Sequence, residues 1–470
     1  MTPVSVFPPP APAPPSSTGE SRLGVAQKIS FGLGFTGNTL MGIGIETMLF
    51  PVFALYLGMS PKVIGFAVAL PRLWDGIMDT VVGTYSDNFH SRWGRRRPFI
   101  VAGACASGLA YALIWMAPVG LGSSGLTAWL LATLIVFWTA NAVFFVPLEA
   151  LGMSLSKNYD ERTSLMGFRS FFAKVGTLAS SWSFWLVEKG WFGAGQRGAI
   201  VVGAIWGVLI LLFGAWPGVF LREAAPAGPA AAPVRFWDSL KSAVRNASFR
   251  RITMYLLFMA ASISVSSAVQ FYATLFWVAR GDAKLTAVLT GASSTLNIVC
   301  GMLALPLTSW GARKLGKHRM ALIAAFVTSL GGLLSWFFLT PAHPWLSLAV
   351  APFFGIGITA VYQLYFSMVA DVAEEGALRN GVRNEGMYSA ISNCMIKGGL
   401  ALSFALGGVL VDAIGFTGKD IVPTAEMLFN LRILRALLPT GTAAVAMLFL
   451  IGYPLTKERL EALRAARSST

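Results

Sequence analysis

Residues 71–99 read PRLWDGIMDTVVGTYSDNFHSRWGRRRPF. An apolar run here is interrupted by Arg72, Asp75 and Asp79 at positions i, i+3 and i+7, and Gly83 and Asp87 continue the series at i+11 and i+15. In a helix this spacing lines all of them on one stripe. The run ends in a tight basic turn, Arg92, Gly94, Arg95, Arg96 and Arg97, before Pro98. Whether the stripe faces water or an apolar interior depends on what surrounds it.

The surroundings are apolar. Of 470 residues, 55% are hydrophobic and 12% charged, and the mean hydropathy is +0.65. A soluble domain is typically about a quarter charged. Helices that span a bilayer need roughly 20 apolar residues, and about twelve such runs occur, near 29–57, 61–87, 98–118, 126–156, 166–187, 198–221, 252–279, 286–310, 320–339, 346–371, 385–413 and 428–455. Strands of a membrane barrel would be half as long and alternating, so the expected class is an all-α membrane protein.

The net charge of +15 could suggest nucleic acid. Its Lys and Arg residues instead sit in short clusters between apolar runs, which excludes that partner and fits loops beside lipid. About 24 of them fall in the N-terminus and in 88–97, 157–165, 222–251, 311–319, 372–384 and 456–470, and only about 8 on the other side. Positive loops stay inside. Both termini are therefore expected in the cytoplasm, in a multi-pass protein of the plasma (inner) membrane. Cys105, Cys300 and Cys394 lie in apolar runs and form neither a metal spacing nor a disulfide framework.

Five regions follow. Residues 1–25, Pro/Ala-rich from Pro8 to Pro15, read as a disordered cytoplasmic tail without the apolar core of a signal peptide. Residues 26–221 form a first six-helix bundle, 222–251 a linker, 252–455 a second six-helix bundle and 456–470 a cytoplasmic tail. The linker starts Pro/Ala-rich and turns amphipathic, with Phe236, Leu240, Val244 and Phe249 among Arg235, Lys241, Arg245, Arg250 and Arg251, as a helix lying on anionic lipid would. The loop after the second helix of each half repeats a glycine–basic pattern, Gly83 to Arg97 in one and Gly311, Arg313, Lys314, Gly316, Lys317, Arg319 in the other. Repeated halves around a central pathway are the layout of alternating-access transporters.

A charge at mid-bilayer costs on the order of 3 kcal/mol on insertion scales and needs a partner or a water-filled cavity. Asp75 and Asp79, one turn apart, repel each other when both are ionised, so the pair either takes up a proton or binds a cation. That is coupling chemistry, with Arg72 positioned to neutralise the stripe when the cation is absent. A static Arg–Asp pair holding helices together is the competing account, but it would not need a second aspartate. Lys397, in NCMIKGGLALSF (393–404), is well inside an apolar run beside Gly398 and Gly399. It wants an anion, and Asp75 and Asp79 across the pathway are the candidates; the competing account is a lysine that snorkels to the interface. Glu46 faces the cavity or pairs with Lys174 or Arg169. Glu149 and Asp371 are interface or gate groups.

Asn38, Thr39, Asn141 and Asn393 are candidate solute contacts by polarity and depth, and Trp74 and Trp138 are the aromatics placed to stack on a sugar face. No cofactor is expected beyond a coupling proton or sodium ion, and no metal site beyond sodium at Asp75 and Asp79. His90, His318 and His343 lie in loops and build no catalytic constellation, which argues against a membrane enzyme.

These residues resemble the glycoside–pentoside–hexuronide:cation symporter family, the group of the melibiose permease, within the major facilitator superfamily. The matching stretches are Arg72 to Asp75 with Asp79, Ser91 to Pro98, Asp160 to Leu165 with Phe168 and Arg169, Met368 to Asp371, Arg383 to Gly386, and Ile396 to Gly399. They cover roughly 28–455 in the family's order. The triple-arginine turn with Pro98 and Phe99 is also similar to the sucrose–proton symporters. The resemblance implies a cation site at Asp75 and Asp79, ion pairing by Lys397, and cytoplasmic gating by Arg162, Asp371 and Glu385; Asp87 and Arg95 of the glycine–arginine loop join that gate. Thr39 and Phe145 stand where the permease holds its sugar with carboxylates, Ala142 replaces a sodium-binding hydroxyl, and Thr80 replaces a proline. These departures point away from a galactoside and toward proton over sodium. The function implied is cation-coupled symport of a sugar or glycoside by a monomer. A lipid or drug carrier of the same fold and a membrane sensor without transport are the alternatives.

Overall fold

The computed structural model describes residues 23–118, 120–155, 159–193, 195–223, 246–380, 385–417, 421–455 and 457–468. Residues 1–22 of the N-terminal tail and 224–245 of the linker, with most of its expected surface helix, lie outside them, as do 381–384.

The described chain is helical, with no β-strand. Its helices are α1 (Val25–Phe50, extended by a π-helical turn, Pro51–Tyr56), α2 (Pro61–Asn88), α3 (Arg97–Trp115), α4 (Ser123–Ser154), α5 (Tyr159–Ser181), α6 (Ser183–Glu188) and α7 (Gln196–Phe220). There follow α8 (Ala247–Tyr272, extended by Ala273–Val278), α9 (Ala283–Leu315), α10 (Lys317–Phe338), α11 (Ala351–Asn380, preceded by a 3-10 turn, Pro344–Val350), α12 (Glu385–Ala413), α13 (Ala425–Leu450) and α14 (Lys457–Ser468).

Local chemistry sets the ends. Asp282 accepts the amides of Lys284 and Leu285 at 2.9 and 3.1 Å to start α9, and Thr424 caps α13 through Met427 N. Gly94 (φ 99°) and Gly316 (φ 88°) turn the chain in the left-handed region that glycine alone enters freely. They occupy matching places in the two basic loops, so the weak sequence repeat has a backbone cause. The last fifteen residues, read from sequence as a tail, contain α14. KERLEALRAARS is built from strong helix formers, and Leu460 is buried against the second half.

Among the described residues, nine helical stretches are long and apolar enough to cross a membrane. The long helices α2 and α5 fall short because they carry charges along their length. The mid-helix charges Arg72, Asp75 and Asp79 of α2 and Arg169 and Lys174 of α5 are buried or partly buried, while Leu109, Leu303, Leu307, Phe337 and Leu448, each more than half exposed, line the outer surface. This is the inside-out distribution that lipid permits.

Packing divides along the sequence. In the first half α1 packs on α5 and α7, α3 on α4 and α7, and α2 on α4. In the second α8 packs on α12 and α13, α10 on α11 and α13, and α9 on α11. The halves meet chiefly where α2 crosses α12, and where α5 and α6 approach α9. The α2–α12 crossing is made of small residues: Ala69, Ala401 and Ala405 form a buried cluster, and a Cβ on Gly65 or Gly408 would press on the partner helix's backbone. Beyond it, the Ser60 hydroxyl donates to Asp412. This contact ties the halves at the end of the molecule away from the termini.

Candidate functional site

The small-residue crossing sets the depth of the charges. Four residues beyond Ala401 on α12, toward the termini, lies Lys397; on α2, Asp75 and Asp79 follow Ala69 in the same direction. The Lys397 ammonium donates to Asp75 Oδ2 at 2.6 Å and to Asp79 Oδ2 at 2.5 Å. One cation from the second half thus bridges two anions from the first. Asp75 is 2% exposed; the side chains of Lys397 and Asp79 are 25% and 35% exposed. Asp75 Oδ1 is buried and accepts no hydrogen bond among the described residues. Two carboxylates and one ammonium leave one negative charge over when all are ionised, with an unused buried oxygen beside it. A single proton or monovalent cation balances the cluster.

Arg72 does not complete this cluster, contrary to the expectation from its spacing. Its guanidinium reaches Glu46 on α1 at 3.1 Å and lies 3.8 Å over the Trp138 ring. Glu46 is therefore paired with neither Lys174 nor Arg169. Arg169 pairs with Glu149 and lies over Phe35. Lys174 has no ion pair among the described residues.

The candidate solute residues are placed as follows. Asn141 donates to Asn38 Oδ1 at 3.3 Å, and Thr39 donates to the Phe35 carbonyl of its own helix. Trp74 is exposed and donates to Thr139, Trp138 is buried beneath Arg72, and Asn393 is exposed. None of the six lines the central cavity between the halves, which measures about 300 Å³. Its walls are Glu46, Thr47, Thr177 and Ser181 from the first half and Gln270, Ser293, Ser294, Asn297 and Arg435 from the second, with Phe50, Phe271 and Phe354. It lies on the side of Glu46 away from the termini. A small cavity with a few convergent polar groups among apolar ones is the form of a small-molecule site.

Three of the five expected gate charges, Asp87, Arg95 and Asp371, form pairs within their own halves. Asp87 binds Arg96 at 2.7 Å, and Lys317 binds Asp371 at 2.6 Å. Arg95 binds Glu223, which also accepts the Arg95 and Arg96 amides at 2.8 and 3.3 Å. Arg162 is exposed without an ion pair among the described residues, and the side chain of Glu385 lies outside them. Glu223, Lys28 with its partner Glu161, and Arg435 were not singled out from sequence. For Arg435 a signal existed, since it is a charge inside the apolar run of the last span.

An all-helical membrane protein whose halves clasp through buried charges at mid-depth belongs to the solute transporters. The chain is a member of the MFS/sugar transport protein family, whose model matches residues 30–457. Among its relatives are the isoprimeverose transporter of Lactiplantibacillus pentosus, 24% identical with 94% of this chain and 91% of that protein covered, and the putative glycoside/cation symporter YagG of Escherichia coli (strain K12), 24% identical with 94% and 95% covered. The sodium-dependent lysophosphatidylcholine symporter 1 of Xenopus tropicalis is 22% identical, with 94% and 90% covered. Among solved structures, a bacterial homologue of the human lysosomal transporter Spinster, in an inward-facing and occupied conformation, matches with a TM-score of 0.68 at 13% identity, covering 94% of this chain and 99% of that one. A structure of a proton-dependent oligopeptide transporter matches at 0.66 and 13% identity, covering 94% and 100%. These two share the fold.

Proposed function

We propose that the protein couples the entry of one cation to the movement of a sugar or glycoside across the cytoplasmic (inner) membrane. The observation that carries this reading is the Lys397 bridge to Asp75 and Asp79 with Asp75 Oδ1 unused. When a cation binds the aspartates, it competes with the ammonium for the same oxygens. The clasp between the halves loosens, and the bundles rock about the central cavity. When the cation leaves, Lys397 returns to bridge both carboxylates and offsets one of their two charges. In this reading the bundles rock only when both sites are filled, so cation and solute cross together.

In this reading the chain has twelve spans in two six-helix bundles, 26–221 and 252–455, with both termini cytoplasmic, and works as a monomer. The proton is the first candidate for the coupling ion, since one titrating carboxylate suffices for it. A sodium ion would require further oxygens, and Ala142 supplies none. The gate residues Asp87, Arg95, Arg162, Asp371 and Glu385 act at the terminal end. The names of the relatives, a glycoside/cation symporter and an isoprimeverose transporter, support the solute class.

The test is a solute screen in proteoliposomes under an imposed proton or sodium gradient. Gradient-driven accumulation of a sugar or glycoside is expected. Movement that only equalises concentrations under both gradients would overturn the coupling.

A further inference from the structure

The central cavity contains a cationic group, Arg435, that has no acidic partner among the described residues. Arg435 projects from α13 and is 4% exposed. Its Nη2 reaches Gln270 Oε1 at 3.5 Å, the outer limit of a hydrogen bond, and its Nε and Nη1 have no acceptor among the described residues. The ring of Phe354 lies 4.9 Å from the guanidinium. Glu46, the carboxylate lining the same cavity, is already engaged by Arg72.

The backbone explains how this residue is held. Pro439, one turn on, has no amide hydrogen to offer the Arg435 carbonyl, and the Ser335 hydroxyl donates to it instead at 3.3 Å. The helix is therefore fixed at this turn while the side chain has unused donors. A guanidinium removed from water without acceptors is costly, and its planar fork matches the two oxygens of an oxyanion. Around it Gln270, Ser293, Ser294 and Asn297 offer neutral donors and acceptors. Across the cavity, Thr177 and Ser181 of α5 continue a stripe that starts one turn earlier at Lys174, a second cation without an ion pair among the described residues.

We propose that Arg435 anchors an anion subsite and that the transported solute carries an oxyanion, a carboxylate, sulfate or phosphate. This rests on the reading that the cavity takes the solute. The acid that Arg435 lacks in the empty protein is supplied by the cargo. Asp75, Asp79 and Lys397 then keep the coupling cation apart from it.

The experiment measures equilibrium binding to the purified full-length protein without any gradient. The probes are glucuronic acid, glucose 6-phosphate, inorganic sulfate and lysophosphatidylglycerol, with glucose as the neutral match. At least one anionic probe is expected to bind well above glucose. Arg435→Gln is expected to weaken it roughly ten- to a hundredfold, the range for a hydrogen bond to a charged group, and Arg435→Lys by less. Dependence on Arg435 for the sugar acids identifies a soluble anionic solute; dependence for the lysolipid alone identifies a lipid headgroup as the source of the oxyanion. Anions that bind no better than glucose, or equal binding by the wild type and Arg435→Gln, would overturn the subsite. If Arg435→Gln is not monodisperse, Arg435→Lys and Gln270→Ala carry the comparison. Failure here leaves gradient-driven transport untouched, whereas anion binding without gradient-driven uptake would overturn the coupling and keep the subsite.

Discussion

The ammonium of Lys397 lies 2.6 Å from the buried carboxylate of Asp75, joining residues 322 positions apart in the chain. It also touches Asp79, so this one side chain links the two halves and offsets one of the two aspartate charges.

Removing the ammonium leaves two carboxylates facing each other in a site where one is almost fully buried. Breaking a buried pair costs 3–5 kcal/mol, and the partial exposure of Lys397 and Asp79 reduces this to about 2 kcal/mol. Lys397→Ala should therefore unfold several degrees below the wild type in a thermal shift assay. Adding Asp79→Asn should restore most of the loss, because the remaining Asp75 then lacks a like-charged neighbour. An unchanged midpoint for Lys397→Ala would show that the bridge is not formed.

At the α2–α12 crossing, a side chain on Gly65 would meet the Phe404 carbonyl, and one on Gly408 would meet the Pro61 carbonyl. Gly65→Val or Gly408→Val should separate the halves at the end away from the termini. A cysteine introduced at Ser60 should then react with a membrane-impermeant maleimide at least several-fold faster than in the otherwise unaltered protein. Equal labelling rates would place the closing contact elsewhere.

Glu223 accepts the backbone amides of Arg95 and Arg96 and the Arg95 side chain. Unmet buried donors cost about 1–3 kcal/mol each. Glu223→Ala should loosen the basic turn, and trypsin should cut after Arg95 and Arg96 markedly faster under native conditions. Cleavage at the wild-type rate would mean that the turn is held by Asp87, Arg97 and the helix ends alone.

The sequence made the α2 stripe readable because Arg72, Asp75 and Asp79 share one helix, where spacing alone fixes the face. Lys397 was readable as a cation that needed an anion. Which cation meets which anion was not, because that depends on how each helix is rotated toward its neighbours. Arg72, one turn from Asp75, turns to α1 and Glu46 instead. The same limit applies to Asn38, whose amide oxygen faces Asn141 on α4 and not the cavity. The wall residues Gln270, Asn297 and Arg435 come from three different helices with no local pattern between them, so only the packing of α8, α9 and α13 brings them together. The twelve apolar runs gave the fold class because lipid imposes length, and the helical C-terminal tail was missed because polar helices carry no such signal.

The central claim is that Asp75 and Asp79 exchange Lys397 for one cation. Its most direct test is solute accumulation against a gradient in proteoliposomes containing wild-type protein, Asp79→Asn or Asp75→Asn. The wild type should concentrate solute under the coupling ion's gradient. The variants should exchange solute across the membrane yet lose at least tenfold in uphill accumulation. Uphill accumulation by Asp79→Asn and Asp75→Asn at the wild-type level would contradict the account.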